Sequence, residues 1–407
     1  MTGDAALDVT RLRAHYPALG DGRAWLDGAA GTQVPESVIE AVASTMRAGV
    51  ANQGGVFPAA RRADALVDAA RRAFAAFAGA PDPDGVILGP TATALLARLA
   101  AALEPTWGPG DEIVVTEADH EADVAPWARA AARAGATLRT ARLRADGALP
   151  TDAVTALIGP RTRLVAVTAA SNLTGARVDV AAVAAAARAV GALSVVDGVH
   201  HAAYTPVDVC ALGADLYATS AHKWAGPHVA ALVAADPAVV AAIDPPRPAG
   251  APASGPARFE QGTNPFPALA GVVAAVEHWA GMLPGGDDPH AGQRAAAAHT
   301  AALGSRLWAG LGELAHVRRY GPDGGPDVRT PVAAFRVVGW TPSDTVAALD
   351  AAGVNAWAGY AYAWGAAGAL GVRDDGGLVR LSPNHYSRAW EVDRALDVVS
   401  DLAHRAR

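Results

Sequence analysis

The sequence predicts an α/β protein: a large domain built on a mainly parallel sheet, followed by a smaller α+β domain. Three observations predict it. Between about residues 60 and 280, short apolar runs alternate with alanine-rich stretches of helical length, the pattern of a parallel sheet covered on both faces. After the breaker cluster Pro284-Gly285-Gly286-Asp287-Asp288-Pro289 that order changes to helix, strand, helix, strand and terminal helix. A chain of 407 residues also exceeds what one compact core holds, so two units are expected.

In chain order, Val86-Ile87-Leu88, Glu112-Ile113-Val114-Val115, Leu164-Val165-Ala166-Val167, Leu193-Ser194-Val195-Val196 and Leu216-Tyr217-Ala218-Thr219 read as strands. Between them, Ala92–Leu103, Val124–Ala134 and Val180–Val190 read as helices. The Pro/Gly-rich stretch from Asp244 through Pro256 reads as a loop. Beyond it come a long helix after Pro289, a strand over Val332–Val338 and a helix over Ser343–Ala352. The expected division is an arm over 1–40 that packs with the small domain, a large domain over 41–285 and the small domain over 286–407.

Composition narrows the function. A net charge of -7 without any Lys/Arg cluster argues against a nucleic-acid partner. Apolar stretches such as Val229–Ile243 are interrupted by charges before the ~20 residues a bilayer span needs. Met1-Thr2-Gly3-Asp4-Ala5 lacks the basic start and apolar block of a secretory signal, so a cytoplasmic protein is expected. The one cysteine, Cys210, excludes a disulfide within the chain and a thiolate metal cluster. No metal site is expected.

Ligands of parallel sheets sit beyond the carboxyl ends of the strands, and the candidate site residues fall there. Lys223 lies in the small-residue turn Thr219-Ser220-Ala221-His222-Lys223-Trp224, 26 positions after Asp197, which ends an apolar run. A lysine amine forms a Schiff base with a carbonyl cofactor, and a carboxylate facing a pyridine nitrogen keeps it protonated as an electron sink. Lysine is nearly absent from the chain, which makes Lys223 conspicuous. Gly89-Pro90-Thr91-Ala92 follows a strand and opens a helix, either an anion cradle or an ordinary N-cap. Ser220 and His222 offer further donors to the same anion.

His120, directly after a strand, is placed either to stack on a cofactor ring and carry protons or to lie among acids at the surface. Asn172, in Ser171-Asn172-Leu173-Thr174-Gly175, serves as a donor to a phenolic oxygen or as a turn residue. An acid at the end of a buried strand, as Asp197 is, needs a cationic partner, and His200 is within reach of the same ring. Arg380, among the apolar neighbours Leu378, Val379 and Leu381, suits bidentate capture of a carboxylate or a structural salt bridge.

Taken together, these blocks resemble the class V aminotransferase group of fold-type I pyridoxal-phosphate enzymes, which includes cysteine desulfurases, selenocysteine lyases and isopenicillin N epimerase. The likeness runs from Leu26-Asp27-Gly28-Ala29-Ala30-Gly31-Thr32 through Asp119–Trp127, the Ser171–Gly175, Asp197–His200 and Lys223 blocks, to Arg258–Thr263. The resemblance implies a seven-stranded, mainly parallel sheet and pyridoxal 5'-phosphate as cofactor. It implies Lys223 as the Schiff-base lysine, Asp197 on the pyridine nitrogen and His120 stacked on the ring. Asn172 and His200 would flank the phenolic oxygen, and Thr91, Ala92, Ser220 and His222 would hold the phosphate. It implies Arg380 on the α-carboxylate of an amino-acid substrate, and a homodimer in which Thr263 reaches the phosphate of the neighbouring subunit.

Two departures stand out. Position 200 is histidine where desulfurases usually carry glutamine. The mobile cysteine of a desulfurase should shortly precede Arg380, yet 356–379 contains none and holds Trp357, Tyr360, Tyr362 and Trp364 instead. Cys210 is expected to be a small buried thiol in a core-facing stretch. The expected chemistry is C–S β-elimination on cysteine or a larger S-conjugate without a protein persulfide, with Tyr360 near the substrate. The alternatives are epimerisation, transamination or other carbanion chemistry in a natural-product pathway, and a fold that binds partners without catalysis.

Overall fold

The computed structural model describes residues 7–404; the Met1–Ala5 segment lies outside them. After a short arm strand β1 (Ala24–Trp25), the large domain contributes β2 (Val86–Gly89), β3 (Glu112–Thr116), β4 (Thr137–Ala141), β5 (Thr162–Thr168), β6 (Leu193–Asp197), β7 (Leu216–Ser220) and β8 (Ala230–Val233). These form one seven-stranded sheet in the order β2-β8-β7-β6-β5-β3-β4. Within it only β8 runs antiparallel to its neighbours, pairing β2 and β7, so the sheet is mainly parallel. Almost every residue of β2, β3, β5, β6, β7 and β8 is buried, as expected where helices cover both faces. One core packs Phe74, Phe77, Val114, Val165, Val196 and Trp224; the other packs Ile87, Leu96, Leu99, Ile113, Trp127 and Leu216.

The five strands read from sequence are present, each extended by a residue or more. Two strands were not legible. β4 is half exposed at the sheet edge and carries Arg139 together with Thr137 and Thr140, so it shows no buried run. In β8, Ala230-Ala231-Leu232-Val233 favours helix by composition, and pairing on both edges overrides that preference.

The remaining strands are β9 (Val317–Tyr320), β10 (Ala333–Val337), β11 (Val354–Asn355), β12 (Trp357–Gly359) and β13 (Leu378–Leu381). A four-stranded antiparallel sheet runs β12-β13-β10-β9. The long helix Pro289–Glu313, with Asp288 accepting from the His290 and Ala291 amides at its start, and the helix Ala389–Asp401 pack beside it. The amino-terminal arm is tied here: β1 pairs β11 in parallel, Asp27 bridges Ser382, and buried Arg13 meets Glu391 at 3.2 Å. Tyr16 and Leu12 of the same arm are buried in the large-domain core, so the arm packs against both units.

Among the described residues no helix is long and apolar enough to cross a membrane. One expectation is corrected. Cys210 is exposed, on the short helix Val209–Leu212, with its Sγ 3.6 Å from the Gly79 carbonyl. The apolar spacing around it is real, but Val209 takes the buried position and turns its neighbour outward. That helix precedes β7, and Gly79 precedes β2, so Cys210 sits at the amino ends of the strands. The five residues of β7 separate it from the opposite rim by about 15 Å. Cys210 should therefore react with a thiol reagent in the native protein without denaturant. Cys210→Ala should leave the melting temperature nearly unchanged; protection of the thiol until unfolding would contradict this placement.

Candidate active site

Lys223 is the chain's single lysine. It closes a 3-10 turn, Ala221–Lys223, directly after β7. The turn is pinned from below: Trp224 is fully buried, stacks on Phe77 at 4.1 Å and donates from Nε1 to Thr219. Ala225 follows with φ 68, a conformation that costs a non-glycine residue about 1–3 kcal/mol. Its amide is held by Thr32 Oγ1 at 2.6 Å. The Lys223 ammonium donates to the Ala29 carbonyl at 2.5 Å. Burial, with the Arg380 charge adding to it, brings the Lys223 pKa down to about 7. An appreciable fraction of the amine is then unprotonated near neutral pH, the form that attacks a carbonyl.

Facing it, Asp197 ends β6 and accepts from the Val199 amide at 2.9 Å. It forms no ion pair among the described residues. Burial raises its pKa, opposed by His120, the Val199 amide and Lys223. Two more acids lie in the same buried region and were not singled out in the sequence. Asp119 takes Thr116 Oγ1 at 2.5 Å on one oxygen, and Asp123 takes Trp127 Nε1 at 3.0 Å. The second oxygen of each is buried without a partner. Burial raises both pKa values well above the usual carboxylate range; the Asp197 charge adds to the effect on both, and the Asp119 charge to that on Asp123. The i, i+4 spacing of Asp123 and Trp127 was the available signal. The acidic run hid it, since Glu117 and Glu121 beside them are partly exposed.

His120 caps the turn after β3, its Nδ1 accepting the Ala122 amide at 3.0 Å. Burial lowers its pKa, with Lys223 and Arg380 adding to the effect against Asp197, so the ring is neutral at neutral pH. At the other end of the pocket, Thr91 is the N-cap of the helix Ala92–Leu103, accepting from the Ala94 amide at 3.0 Å. The N-cap is what is seen, and Thr91, Ala92 and Thr93 all line the cavity. Ser220 Oγ meets His222 Nδ1 at 2.8 Å, and His222 stacks on His228 at 4.7 Å. Burial holds the His222 pKa down to about 3, leaving a neutral donor. His200 bonds Thr330 through Nε2 at 3.0 Å, while its buried Nδ1 has no partner.

The small domain closes the site. Arg380 in β13 is buried and donates to the Asn172 carbonyl at 2.7 Å. No carboxylate lies within ion-pair distance of it among the described residues, so the salt-bridge alternative is not what is seen. Burial lowers its pKa to about 10. Asn172 Nδ2 donates to the Ala361 carbonyl at 2.8 Å and its Oδ1 is a buried acceptor without a partner. The segment it grips is strained: Ala361 and Tyr362 have φ of 49 and 57. The Glu121 amide secures the second through the Tyr362 carbonyl at 2.8 Å.

A cavity of about 630 Å³ gathers Thr91, Ala92, His120, Asn172, Asp197, His200, Ser220, His222, Lys223, Tyr360 and Arg380, a size usual for ligand sites. Thr263 is not among them; it is exposed on the loop after Phe259. The cavity also includes Trp357 of the aromatic segment, and Ala29, Ala30 and Thr168, which were not picked out from the sequence.

Residues 24–395 match the family model for aminotransferase class-V. The chain belongs to that family. An uncharacterised protein of Mycobacterium tuberculosis is 37% identical over 98% of this chain and 100% of its own. A probable cysteine desulfurase of Pseudomonas putida is 31% identical over 95% of this chain and 96% of its own. The crystal structure of a cysteine desulfurase from Escherichia coli superposes with a TM-score of 0.86 at 28% identity, covering 98% and 99% of the two chains. A class-V member is a pyridoxal-phosphate-dependent enzyme, and the residues present fit that group. A buried acid without an ion-pair partner, a partly neutral buried lysine, an open helix start, and the unpartnered polar atoms of Asn172 and His200 are what it requires.

The buried acids give a prediction. In the unfolded chain Asp123 ionises near the ordinary carboxylate value, 3.8, whereas in the folded chain it keeps its proton to higher pH. Its contribution to stability is fully present below about 3.8 and is lost as pH rises through the folded value. Asp123→Asn retains an oxygen for Trp127 Nε1 and removes this loss. The melting temperature of the variant relative to the parent should therefore climb as pH goes from 4 to 8. A difference that stays flat with pH would show that Asp123 ionises normally.

Proposed function

We propose that the protein acts on an α-amino acid by C–S β-elimination, releasing the sulfur substituent without a protein persulfide, as a cytoplasmic homodimer. The observation that carries this reading is the cavity itself, which joins an amine of pKa about 7, a buried acid and an unpaired buried guanidinium. It contains no cysteine. A persulfide mechanism needs an accessible thiolate at the reacting sulfur, and Cys210 lies at the amino ends of the strands, opposite the cavity.

Pyridoxal phosphate supplies an aldehyde that condenses with amines and a protonated ring that accepts an electron pair. Thr91, Ala92, Ser220 and His222 would hold its phosphate, Asp197 its ring nitrogen and His120 a ring face. Asn172 and His200 would hold its phenolic oxygen, and Lys223 its aldehyde carbon. Thr263, exposed in the single chain, would reach the neighbouring subunit's phosphate. Arg380 binds the substrate carboxylate through two parallel hydrogen bonds, which orients the Cα–H bond. Lys223 Nζ takes the α-proton and afterwards protonates the departing sulfur. The low Lys223 pKa matches both roles, because the group gains and loses a proton near neutrality. Trp357, Tyr360 and Tyr362 limit water at the mouth.

Purified protein should show a visible absorbance band, and borohydride reduction should fix the cofactor to Lys223. Lys223→Ala should lose the band and reduce turnover on the order of a thousandfold or more; near-parental turnover would remove Lys223 from the chemistry. Arg380→Lys should raise the KM for the amino acid by about tenfold or more, since a point ammonium does not reproduce the guanidinium fork. An unchanged KM would place the carboxylate elsewhere. Assaying pyruvate and thiol against racemised or transaminated amino acid separates elimination from the other outcomes.

A further inference from the structure

The segment of β12 and the turn after it presents an aromatic wall. Trp357 is directly opposite Arg380 in the antiparallel pairing of β12 with β13. Residues so paired point to the same face with Cβ atoms about 5 Å apart. The indole and the guanidinium therefore stand side by side at the cavity, both on its lining. Trp357 is 52% exposed and Tyr362 70% exposed, large apolar surfaces left open among the described residues. Tyr362 lies 5.4 Å from the His120 ring, and Tyr360 packs edge-on against Trp364 at 5.6 Å.

Between the aromatics stand only Ala358, Gly359 and Ala361, which leave room for a flat group. Of the charged groups of the lining, Arg380 stands beside Trp357, and the segment itself carries no acid or base of its own. With the guanidinium engaged by the α-carboxylate, an acidic or basic substrate side chain would lose its water there without gaining a partner, whereas an aryl group would stack. The strain at Ala361 and Tyr362, held by hydrogen bonds from Asn172 and Glu121, keeps the wall in place before any ligand arrives, so little ordering remains to oppose binding.

We propose that the substrate is an α-amino acid whose side chain ends in an aromatic or comparably broad apolar group, selected by Trp357, Tyr360 and Tyr362. The inference rests on the reading that Arg380 takes the substrate carboxylate, which places the side chain against the neighbouring indole. It deepens that reading by naming the class of group borne at Cβ.

The test uses the cofactor-loaded enzyme and amino acids that carry no leaving group. The visible band is titrated with L-phenylalanine, L-alanine and L-aspartate, and the apparent Kd of each is taken from the spectral change. Phenylalanine should bind at least about tenfold more tightly than alanine or aspartate. In Trp357→Ala and in Tyr362→Ala the ratio of the alanine to the phenylalanine Kd should fall towards one. Trp357→Phe, which keeps an aromatic face, should retain the preference and guards against a variant that merely misfolds. A loaded parent that binds the three amino acids alike would overturn this inference and leave the proposed function standing. A Trp357→Ala and Tyr362→Ala pair that both keep the full preference would also overturn it. A parent without a visible band would instead remove the reading on which it rests.

Discussion

A buried arginine joins the two halves of this site. From β13 of the small domain, Arg380 donates to the backbone of Asn172 in the loop after β5, and Asn172 in turn holds the Ala361 carbonyl. One chain of hydrogen bonds thus links the large sheet, the small sheet and the strained segment that walls the cavity. The guanidinium has five donors and spends few of them on the protein, so the group that fastens the domains also remains available to a carboxylate. Losing it would leave the Asn172 carbonyl unpaired and the wall unsupported, which makes architecture and substrate capture inseparable at this residue.

Around that clasp, desolvation sets the protonation states. The same burial that brings the Lys223 amine towards neutrality keeps His120 and His222 uncharged and raises the pKa values of Asp119 and Asp123. Asp197 is the acid of the three that lines the cavity, where a cationic ring would restore its charge.

Relatives of this chain include proteins named as cysteine desulfurases, yet the ground before Arg380 is occupied here by aromatic residues and no thiol. The fold is shared with a cysteine desulfurase from Escherichia coli at a TM-score of 0.86. Function within such a fold is decided by what faces the substrate rather than by the sheet behind it.

Much of this was legible in the sequence because it depends on local pattern. Apolar runs alternating with helical stretches, and reactive residues placed just after those runs, determined the parallel sheet and gathered Lys223, Asp197, His120 and Thr91 at one rim. What only the tertiary structure decided involves partners far apart in the chain. The direction of β8 follows from its place between β2 and β7, not from its alanines. The exposure of Cys210 follows from which side of a four-residue helix meets the core. The buried acids Asp119 and Asp123, each with one unpartnered oxygen, are distinguished from Glu117 and Glu121 by burial. Arg380 meets Asn172 across 208 positions, and Trp357 stands beside Arg380 through strand register. Local periodicity specifies which faces are apolar, but only three-dimensional packing brings such distant groups within reach and removes the water between them.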